Sequence, residues 1–415
     1  MFTAARIAPI AYQHPWTATL TDRLITLGSK DRRIAYFYEQ PDTTIFRYRV
    51  LNMLQAVNAA SDLGISASWF SRQDLSHADR FIDRADALVI CRARYDASVG
   101  RMIARARARG LPVFFDVDDL IFDSEYINLV LDTSDEQYES EIVWDHWFAH
   151  VGRLGATLRA CDAVIVTNQF LADRVKAFAP HLPTSIVPNF LNQAQQEVSR
   201  ELYAAKKNSG WARDGKVLVG YFSGTPTHNR DFKIVANALT SLLDDNPDVS
   251  VRVVGFLEPT GPLLRHRDRI EFHPQQDFLN LQRLVSEVEV NIAPLQDNPF
   301  SNCKSELKYF EAAAVGTLTV ASPTFAFRNA IRDGENGFLA NAQEWDSRLR
   351  LALHAVRDSQ EYARLVAAAC RDAEENYSWS VHAGTIAETI FSQVAGSCPA
   401  LALSSIPATA NFSDK

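Results

Sequence analysis

The feature that most constrains the fold of this chain is the repeated alternation of short apolar runs with longer helical patterns. Each apolar run is bounded by Gly, Pro or polar residues and is followed by a stretch with helical spacing of apolar residues. This alternation is typical of α/β architecture, in which parallel strands are buried between helices. The predicted strands are 34–38, 87–91, 113–116 and 163–167, then 217–222, 249–255, 270–273, 290–294 and 317–321.

The chain has 415 residues, which is too long for one hydrophobic core, and it breaks at a run of prolines that ends in Pro188-Asn189. We therefore predict two doubly wound, Rossmann-like domains that face a central cleft. The predicted units are a first domain over 1–188, a second over 189–378, a helix over 379–395 and a disordered tail over 396–415. Ligands of such sheets lie at the carboxyl ends of the strands, so we expect the site in the cleft.

Composition excludes some classes of function. The net charge is −8, whereas general nucleic-acid binders are usually basic, so no nucleic-acid partner is expected. The start of the chain has no signal-peptide pattern, and no apolar run is long enough to span a membrane, so we expect a cytoplasmic protein. The five cysteines are scattered without a CxxC spacing, which argues against a zinc site; we predict no bound metal.

The most informative stretch leads from the predicted strand 290–294 through a loop into a helix that we expect over 304–314. The first turn of that helix would offer backbone N–H groups and Lys304, an arrangement that suits a diphosphate. Glu311 lies about two turns further on, where its carboxylate could accept hydrogen bonds from two ribose hydroxyls. The alternative is an amphipathic helix in which Lys304 and Lys308, four residues apart, share a solvated face.

Together with the segments that follow it, this helix resembles the donor-binding half of GT-B glycosyltransferases of family four. In that family a helix written E-x7-E precedes a strand and a D-G-x-x-G-x-L loop, and residues 333–339 here read D-G-E-N-G-F-L. Glu311 matches the second glutamate, which binds ribose in the family, whereas Cys303 stands where the first would be. The resemblance implies a transferase that needs no metal or cofactor and takes a sugar from a UDP, GDP or dTDP carrier.

Shorter signatures extend the resemblance from about residue 186 to residue 379. Pro188-Asn189 is similar to the P-N linker of the family, and Ser378-Trp379 is similar to its S-W element, which precedes a helix that crosses back onto the first domain. Family sequences that lack the first glutamate and carry a lysine beside its position resemble a bacterial surface-polysaccharide branch of family four. In such a variant Lys304 would take over contacts with phosphate or sugar.

A second candidate phosphate site follows the predicted strand 217–222. Ser223, Gly224 and Thr225 are small residues at a strand end, where the backbone can approach phosphates closely. His228 and Arg230 supply cations. The arginine of the family falls near Thr225, and Arg230 would replace it. The alternative is an ordinary strand-to-helix turn with a capping residue.

Three carboxylates, Asp116, Asp118 and Asp119, stand at the end of the predicted strand 113–116, where like charges raise one another's pKa. In the family-four register Asp118 replaces a pocket histidine and Asp119 matches an aspartate. Asp118, and after it Asp116, would be the general base of an inverting enzyme, or would orient the sugar in a retaining one. Alternatively, the run resembles the haloacid-dehalogenase phosphatase motif, with Asp116 as nucleophile and Asp118 as acid/base, or it caps the next segment.

Two groups of arginines complete the candidates. Arg47 and Arg49 lie near the start of a predicted helix. The resemblance to GT-B enzymes implies that the loop before this helix faces the cleft, where the two arginines could meet diphosphate or an anionic acceptor. Arginines in the first turn of a helix interact unfavourably with the helix dipole. This unfavourable position is an argument that the arginines bind a ligand. Arg101, Arg105 and Arg109 form a stripe on a later helix, which is either a solvated face or a peripheral contact with anionic lipids at the inner face of the membrane.

The sequence therefore predicts a glycosyltransferase that moves a sugar from a nucleoside diphosphate sugar to a polysaccharide, lipid-linked or other glycan acceptor. Its alternatives are a sugar-nucleotide epimerase of the same fold, the phosphatase, and a non-catalytic GT-B subunit that binds a glycan or a partner.

Overall fold

The computed structural model describes residues 1–42, 44–133, 140–224, 229–257 and 261–392, so the predicted tail over 396–415 lies outside the described residues. The described chain forms two six-stranded sheets, and every strand pairing in both sheets is parallel. In the part of the chain that the structure describes, no helix is long and apolar enough to cross a membrane.

The first sheet and its helices come from the first part of the chain. The strands are β1 (Arg32–Phe37), β2 (Ile65–Phe70), β3 (Ala87–Cys91), β4 (Val113–Asp116), β5 (Ala163–Val166) and β6 (Thr184–Ile186). The helices are α1 (Leu20–Leu27), α2 (Asn52–Ala59), α3 (Ala78–Ile82), α4 (Ala97–Ala108), α5 (Ile127–Thr133), α6 (Glu141–Arg159) and α7 (Gln169–Phe178). A π-helical turn, Arg47–Leu51, leads directly into α2. The strand order is β2-β1-β3-β4-β5-β6.

The second sheet follows a connecting helix, α8 (Gln193–Asn208). Its strands are β7 (Val217–Ser223), β8 (Val249–Gly255), β9 (Ile270–His273), β10 (Val290–Ala293), β11 (Leu318–Ala321) and β12 (Phe338–Leu339). The helices are α9 (Asn229–Asp245), α10 (Phe278–Glu287), α11 (Pro299–Asn302), α12 (Leu307–Ala314), α13 (Phe325–Ala330), α14 (Trp345–Arg357), α15 (Ser359–Asn376) and α16 (Ala383–Phe391). The strand order is β12-β11-β10-β7-β8-β9.

The central strands are buried along their whole length because helices cover both faces of each sheet. Every residue of β3, β4, β7 and β10 is buried. Strands of this kind are near-continuous apolar runs, which is why the sequence pattern located them.

Both ends of the described chain cross between the domains. Phe2 is fully buried in the core of the second domain, and the N–H of Ile10 donates to Asn280 Oδ1 at 2.9 Å. The first residues therefore pack on the second domain, although the predicted boundary assigns them to the first. At the other end, Ile386 and Ile390 of α16 pack in the core of the first domain beside Val57.

The helix predicted over 304–314 begins later than expected. The side chain of Asn298 caps the short helix α11 by accepting from the N–H of Ser301 at 2.8 Å. The chain leaves helical structure after Cys303, and α12 starts only at Leu307. Lys304 consequently lies in the loop before the helix, and Lys308 occupies the first turn.

Candidate active site between the domains

A cavity of about 450 Å³ opens between the carboxyl ends of the two sheets, within the usual range for ligand pockets. Its first-domain wall includes Arg47, Tyr48, Arg92, Asp118 and Asp119. Its second-domain wall includes Ser223, Gly224, Lys304, Lys308 and Glu311. Of the predicted site residues, the structure thus brings Asp118, Asp119, Arg47, Ser223, Gly224, Lys304 and Glu311 to one cavity.

The two carboxylates of the first-domain wall are held by cations. Arg92 Nη1 donates to Asp118 Oδ1 at 2.8 Å and lies 3.6 Å from Asp119 Oδ2. Lys304 Nζ reaches across the cleft to within 3.6 Å of Asp119 Oδ1. Burial raises the pKa of Asp119, although Lys304 opposes this shift. Among the described residues, no three His, Cys, Asp or Glu side chains are grouped as a metal site.

Arg92 is a site residue that the sequence analysis missed. It directly follows β3 and adopts a left-handed backbone conformation with φ of 45°, while its N–H donates to Asp116 O at 3.0 Å. This conformation costs a non-glycine residue on the order of 1 kcal/mol, and residues held in it are often found at functional sites. Nothing in the local sequence around Arg92 marks this conformation.

Asp116 and Arg49 form a buried ion pair away from the cavity. Arg49 Nε and Nη2 donate to the two oxygens of Asp116, each at 2.8 Å, and Nη1 donates to Val187 O and Asn189 Oδ1 at 2.9 and 3.0 Å. Both side chains are almost fully buried, with exposures of 0% and 2%. The predictions of Asp116 as second base or phosphatase nucleophile, and of Arg49 as a ligand contact, are therefore corrected. The pair joins β4 to the turn before α2 and to the inter-domain linker.

Glu311, the predicted ribose ligand, is held by two donors from the first domain and by one from α8. Its Oε1 accepts from Arg47 Nη2 at 3.2 Å, from the hydroxyl of Tyr48, and from Gln195 Nε2 on α8 at 3.2 Å. This bond satisfies only one of the three guanidinium nitrogens of Arg47. Its Nε and Nη1 are buried and have no hydrogen-bond partner among the described residues. The role of Glu311 toward ribose stays a prediction.

Lys308 is the second site residue that the sequence did not reveal, since it was considered only in the alternative of a solvated helix face. Its ammonium nitrogen is buried, has no hydrogen-bond partner among the described residues, and lies 5.0 Å from the centroid of the Tyr221 ring. Burial lowers the pKa of Lys308 to about 8. The spacing could have revealed it, because Lys308 and Glu311 are three residues apart and therefore share one face of α12.

The predicted phosphate turn is only partly described. Ser223 is buried at the end of β7, and Gly224 follows it at the edge of the cavity. Thr225 and His228 lie outside the described residues. Arg230 pairs with Asp132 of α5 and is not among the residues that line the cavity, so its predicted contact with phosphate is not supported by this position.

The arginine stripe on α4 has acidic partners within the first domain. Arg105 and Arg109 each lie 2.9 Å from Asp83 Oδ1, and the neighbouring Arg107 lies 2.8 Å from Asp162 Oδ1. These pairs account for much of the positive charge on the helix surface. The contact with anionic lipid stays a prediction.

Comparison with known proteins finds a matching family model and several relatives. Residues 216–358 match the model of the family described as glycosyl transferases group 1. The phosphatidyl-myo-inositol mannosyltransferase of Mycobacterium tuberculosis is 28% identical over 203 residues, which are 47% of this chain and 51% of that protein. The D-inositol 3-phosphate glycosyltransferase of Streptomyces griseus is 26% identical over 200 residues, 45% of this chain and 41% of that protein. The chain spans about half the length of the curated relatives it matches.

The chain is a GT-B protein that resembles glycosyltransferase family four. Its fold is similar to that of Anabaena Alr3699/HepE in complex with UDP, with a TM-score of 0.57 and 14% identity over 86% of this chain and 99% of that one. The sucrose-phosphate synthase of Thermosynechococcus elongatus gives a TM-score of 0.59 and 15% identity over 88% of this chain and 100% of that one. The predicted GT-B fold of two Rossmann-like domains and the predicted family resemblance are confirmed.

Proposed function

We propose that this GT-B protein is a glycosyltransferase that moves a sugar from a nucleoside diphosphate sugar to a glycan or lipid-linked acceptor. The observation that carries the proposal is a pair of incompletely bonded cations in the cavity between the domains. Lys308 on one wall and Arg47 on the other each have buried nitrogen atoms without a hydrogen-bond partner among the described residues. Buried polar groups of this kind cost free energy unless they are paired, so an anionic ligand that bonds to both is favoured.

A nucleoside diphosphate matches the arrangement of groups in the cavity. Its phosphates would lie between Lys308, Lys304 and the end of β7 at Gly224, and its ribose would bind Glu311 in exchange for the hydroxyl of Tyr48. Support comes from the relatives, since the family model is one of glycosyl transferases, and the structure of HepE, which shares the fold, was determined with UDP and with UDP and glucose.

The reaction follows from this placement. The acceptor hydroxyl oxygen forms a bond to the anomeric carbon, and the bond from that carbon to the terminal phosphate oxygen breaks with its electron pair on the leaving diphosphate. Lys308, Lys304 and Arg47 would stabilise the charge that develops on the diphosphate. In an inverting reaction the hydroxyl proton passes to a carboxylate. Asp118 remains the first candidate, and Asp119 replaces Asp116 as the second because a raised pKa suits a base.

We propose that the reaction needs no bound metal, because both cavity carboxylates already have cationic partners in Arg92 and Lys304. Transfer should continue in the presence of a chelator. Complete loss of transfer in the chelator, with recovery on addition of Mg²⁺ or Mn²⁺, would contradict this part of the mechanism.

The test of the proposal is the binding of UDP, GDP and dTDP to the full chain, measured by thermal unfolding and by calorimetry. A matching nucleotide at a hundred times its dissociation constant should raise the free energy of unfolding by about 2.7 kcal/mol. Lys308→Met should weaken that binding by roughly 1.5–3 kcal/mol, the usual range for hydrogen bonds to charged groups. Lys207→Met is the matched control, since Lys207 is an exposed lysine on α8.

Two results would decide against the proposal. One is the absence of stabilisation by any of the three nucleotides, and the other is equal binding by the wild type and Lys308→Met. Turnover of a nucleotide sugar to an isomer without any acceptor would instead assign the same site to an epimerase.

A further inference from the structure

The first-domain wall of the cavity carries aromatic groups that were not assigned above to the diphosphate or the ribose of the donor. Trp147 and His150 of α6 both line the cavity together with Arg92 and Asp118. The two residues lie three positions apart on one helix, so they share a face, and their ring centroids are 5.4 Å apart. The groups assigned above to the diphosphate and ribose of the donor lie on the opposite wall, with the exception of Arg47. Trp147 and His150 are therefore candidates for contact with the second substrate.

The polar groups on this wall suit neutral hydroxyls better than a charged ligand. The guanidinium of Arg92 is already bonded to Asp118 and near Asp119. Asp118 Oδ1 accepts from Arg92, whereas Asp118 Oδ2 has no hydrogen-bond partner among the described residues. Asp118 Oδ2 can therefore accept from a ligand. Burial, assisted by Arg94 and Arg92, lowers the pKa of His150 to about 4. Its imidazole is therefore uncharged at neutral pH and can donate one hydrogen bond and accept another.

We propose that Trp147, His150 and Asp118 form a binding site for a sugar ring of the acceptor, an inference that rests on the glycosyltransferase function proposed above. The C–H face of a sugar ring packs on the apolar face of the indole, while its hydroxyls bond to the imidazole and the carboxylate. A bare acyl chain fits this wall poorly, because it would bury the polar atoms of Asp118 and Arg92 without offering them hydrogen bonds.

The test uses methyl α-glucopyranoside, methyl α-mannopyranoside and methyl α-galactopyranoside as probes, with saturation-transfer NMR on the full chain in the presence of the nucleoside diphosphate that binds. We expect at least one glycoside to receive saturation from the wild type. Trp147→Ala should weaken its binding at least tenfold and leave the affinity for the nucleotide unchanged. Phe148→Ala is the matched control, because Phe148 is an exposed aromatic residue of the same helix that does not line the cavity.

A second pair of variants protects the test against misfolding of Trp147→Ala. Trp147→Phe keeps an aromatic face and should retain binding of the glycoside, whereas His150→Gln should weaken it severalfold. Thermal unfolding of each variant shows whether it is folded at the temperature of the NMR measurement.

The possible failures separate this site from the proposed function. Binding of a glycoside with equal strength to the wild type, Trp147→Ala and His150→Gln would overturn the sugar site, as would the absence of binding by all three glycosides while the nucleotide binds. A loss of nucleotide affinity in Trp147→Ala would indicate that this wall binds the base of the donor. That result would also overturn the sugar site. Glycoside binding that depends on Trp147 in a protein that binds no nucleotide would support the sugar site and contradict the transferase.

Discussion

Arg47 and Arg49 lie two residues apart in one π-helical turn, yet the structure surrounds them differently. Arg49 points into the first domain, where a bidentate carboxylate, a carbonyl and an amide accept from three of its nitrogens. Arg47 points into the cavity, where one nitrogen bonds to Glu311 and two have no hydrogen-bond partner among the described residues. Removal of one partner from a fully paired buried cation destabilises the fold, whereas a buried cation with an incomplete set of partners is suited to a ligand.

The same contrast separates the carboxylates at the end of β4. Asp116 has both oxygens bonded to Arg49 and is fully enclosed, whereas Asp118 lies on the cavity wall with one oxygen bonded to Arg92. Substitution of Asp116 should therefore mainly lower stability, whereas substitution of Asp118 should mainly lower activity.

Asp118→Asn should lower the rate of sugar transfer by about 10²–10⁴-fold, the usual cost of losing a general base. The affinity for nucleoside diphosphate should hardly change, because Asp118 is not among the groups assigned to the diphosphate. Steady-state turnover and calorimetric titration measure the two quantities separately. A variant that loses thermal stability but keeps its specific activity would place Asp118 with Asp116 on the structural side of the comparison.

Asp116→Asn should lower the free energy of unfolding by about 3–5 kcal/mol, since it leaves the buried guanidinium of Arg49 without a counter-charge. Protein that remains folded should keep its specific activity. The control is the double substitution Arg49→Met with Asp116→Leu, which removes both charges and should be less destabilising than the single change. Wild-type stability combined with a trapped aspartyl-phosphate in the native protein would support the phosphatase interpretation instead.

Arg47→Met should weaken nucleoside diphosphate binding by roughly 1.5–3 kcal/mol, because it removes hydrogen bonds to a charged ligand. It should cost less stability than substitution of Arg49, whose partners are all within the fold. Calorimetry and thermal unfolding of Arg47→Met and Arg49→Met, compared side by side, provide the measurement. Equal losses of stability in the two variants, with unchanged nucleotide affinity, would remove the distinction between the two arginines.

Much of the fold was predictable because the buried parallel strands are continuous apolar runs. The bounds of β3, β4, β8 and β9 agree with the predicted strands. β2 was missed because Ser66 and Ser68 interrupt its apolar pattern, although both serines are buried and Ser66 Oγ donates to Leu27 O at 2.6 Å. β6 was missed because it has three residues and none of them is buried. A serine that is satisfied by a distant carbonyl looks polar in the sequence and belongs to the core in the structure.

The site was predictable where a motif carried it, as for Asp118, Lys304 and Glu311, which all line the cavity. Their roles toward donor and acceptor stay predictions. Lys308 was considered only in the alternative of a solvated face, because the pattern of a single helix does not show which other elements bury it. Partners distant in sequence were also beyond local patterns: Arg49 and Asp116 are 67 positions apart.

The smallest expected effect concerns pH and the cation Lys308. Its pKa is lowered to about 8 by burial, with Asp231, Lys304 and Glu311 as the charged groups that act on it. A bound diphosphate stabilises the charged ammonium and raises this pKa, so above pH 8 binding must be accompanied by uptake of a proton. Affinity is therefore highest below pH 8 and should fall roughly tenfold between pH 7 and pH 9, since the fraction of charged lysine in the free protein falls by that factor. In Lys308→Gln, calorimetry should find weaker binding that changes little over the same interval. An equal decline in the wild type and the variant would show that another group titrates, and Lys308 would then belong with Arg49 as a cation of the fold.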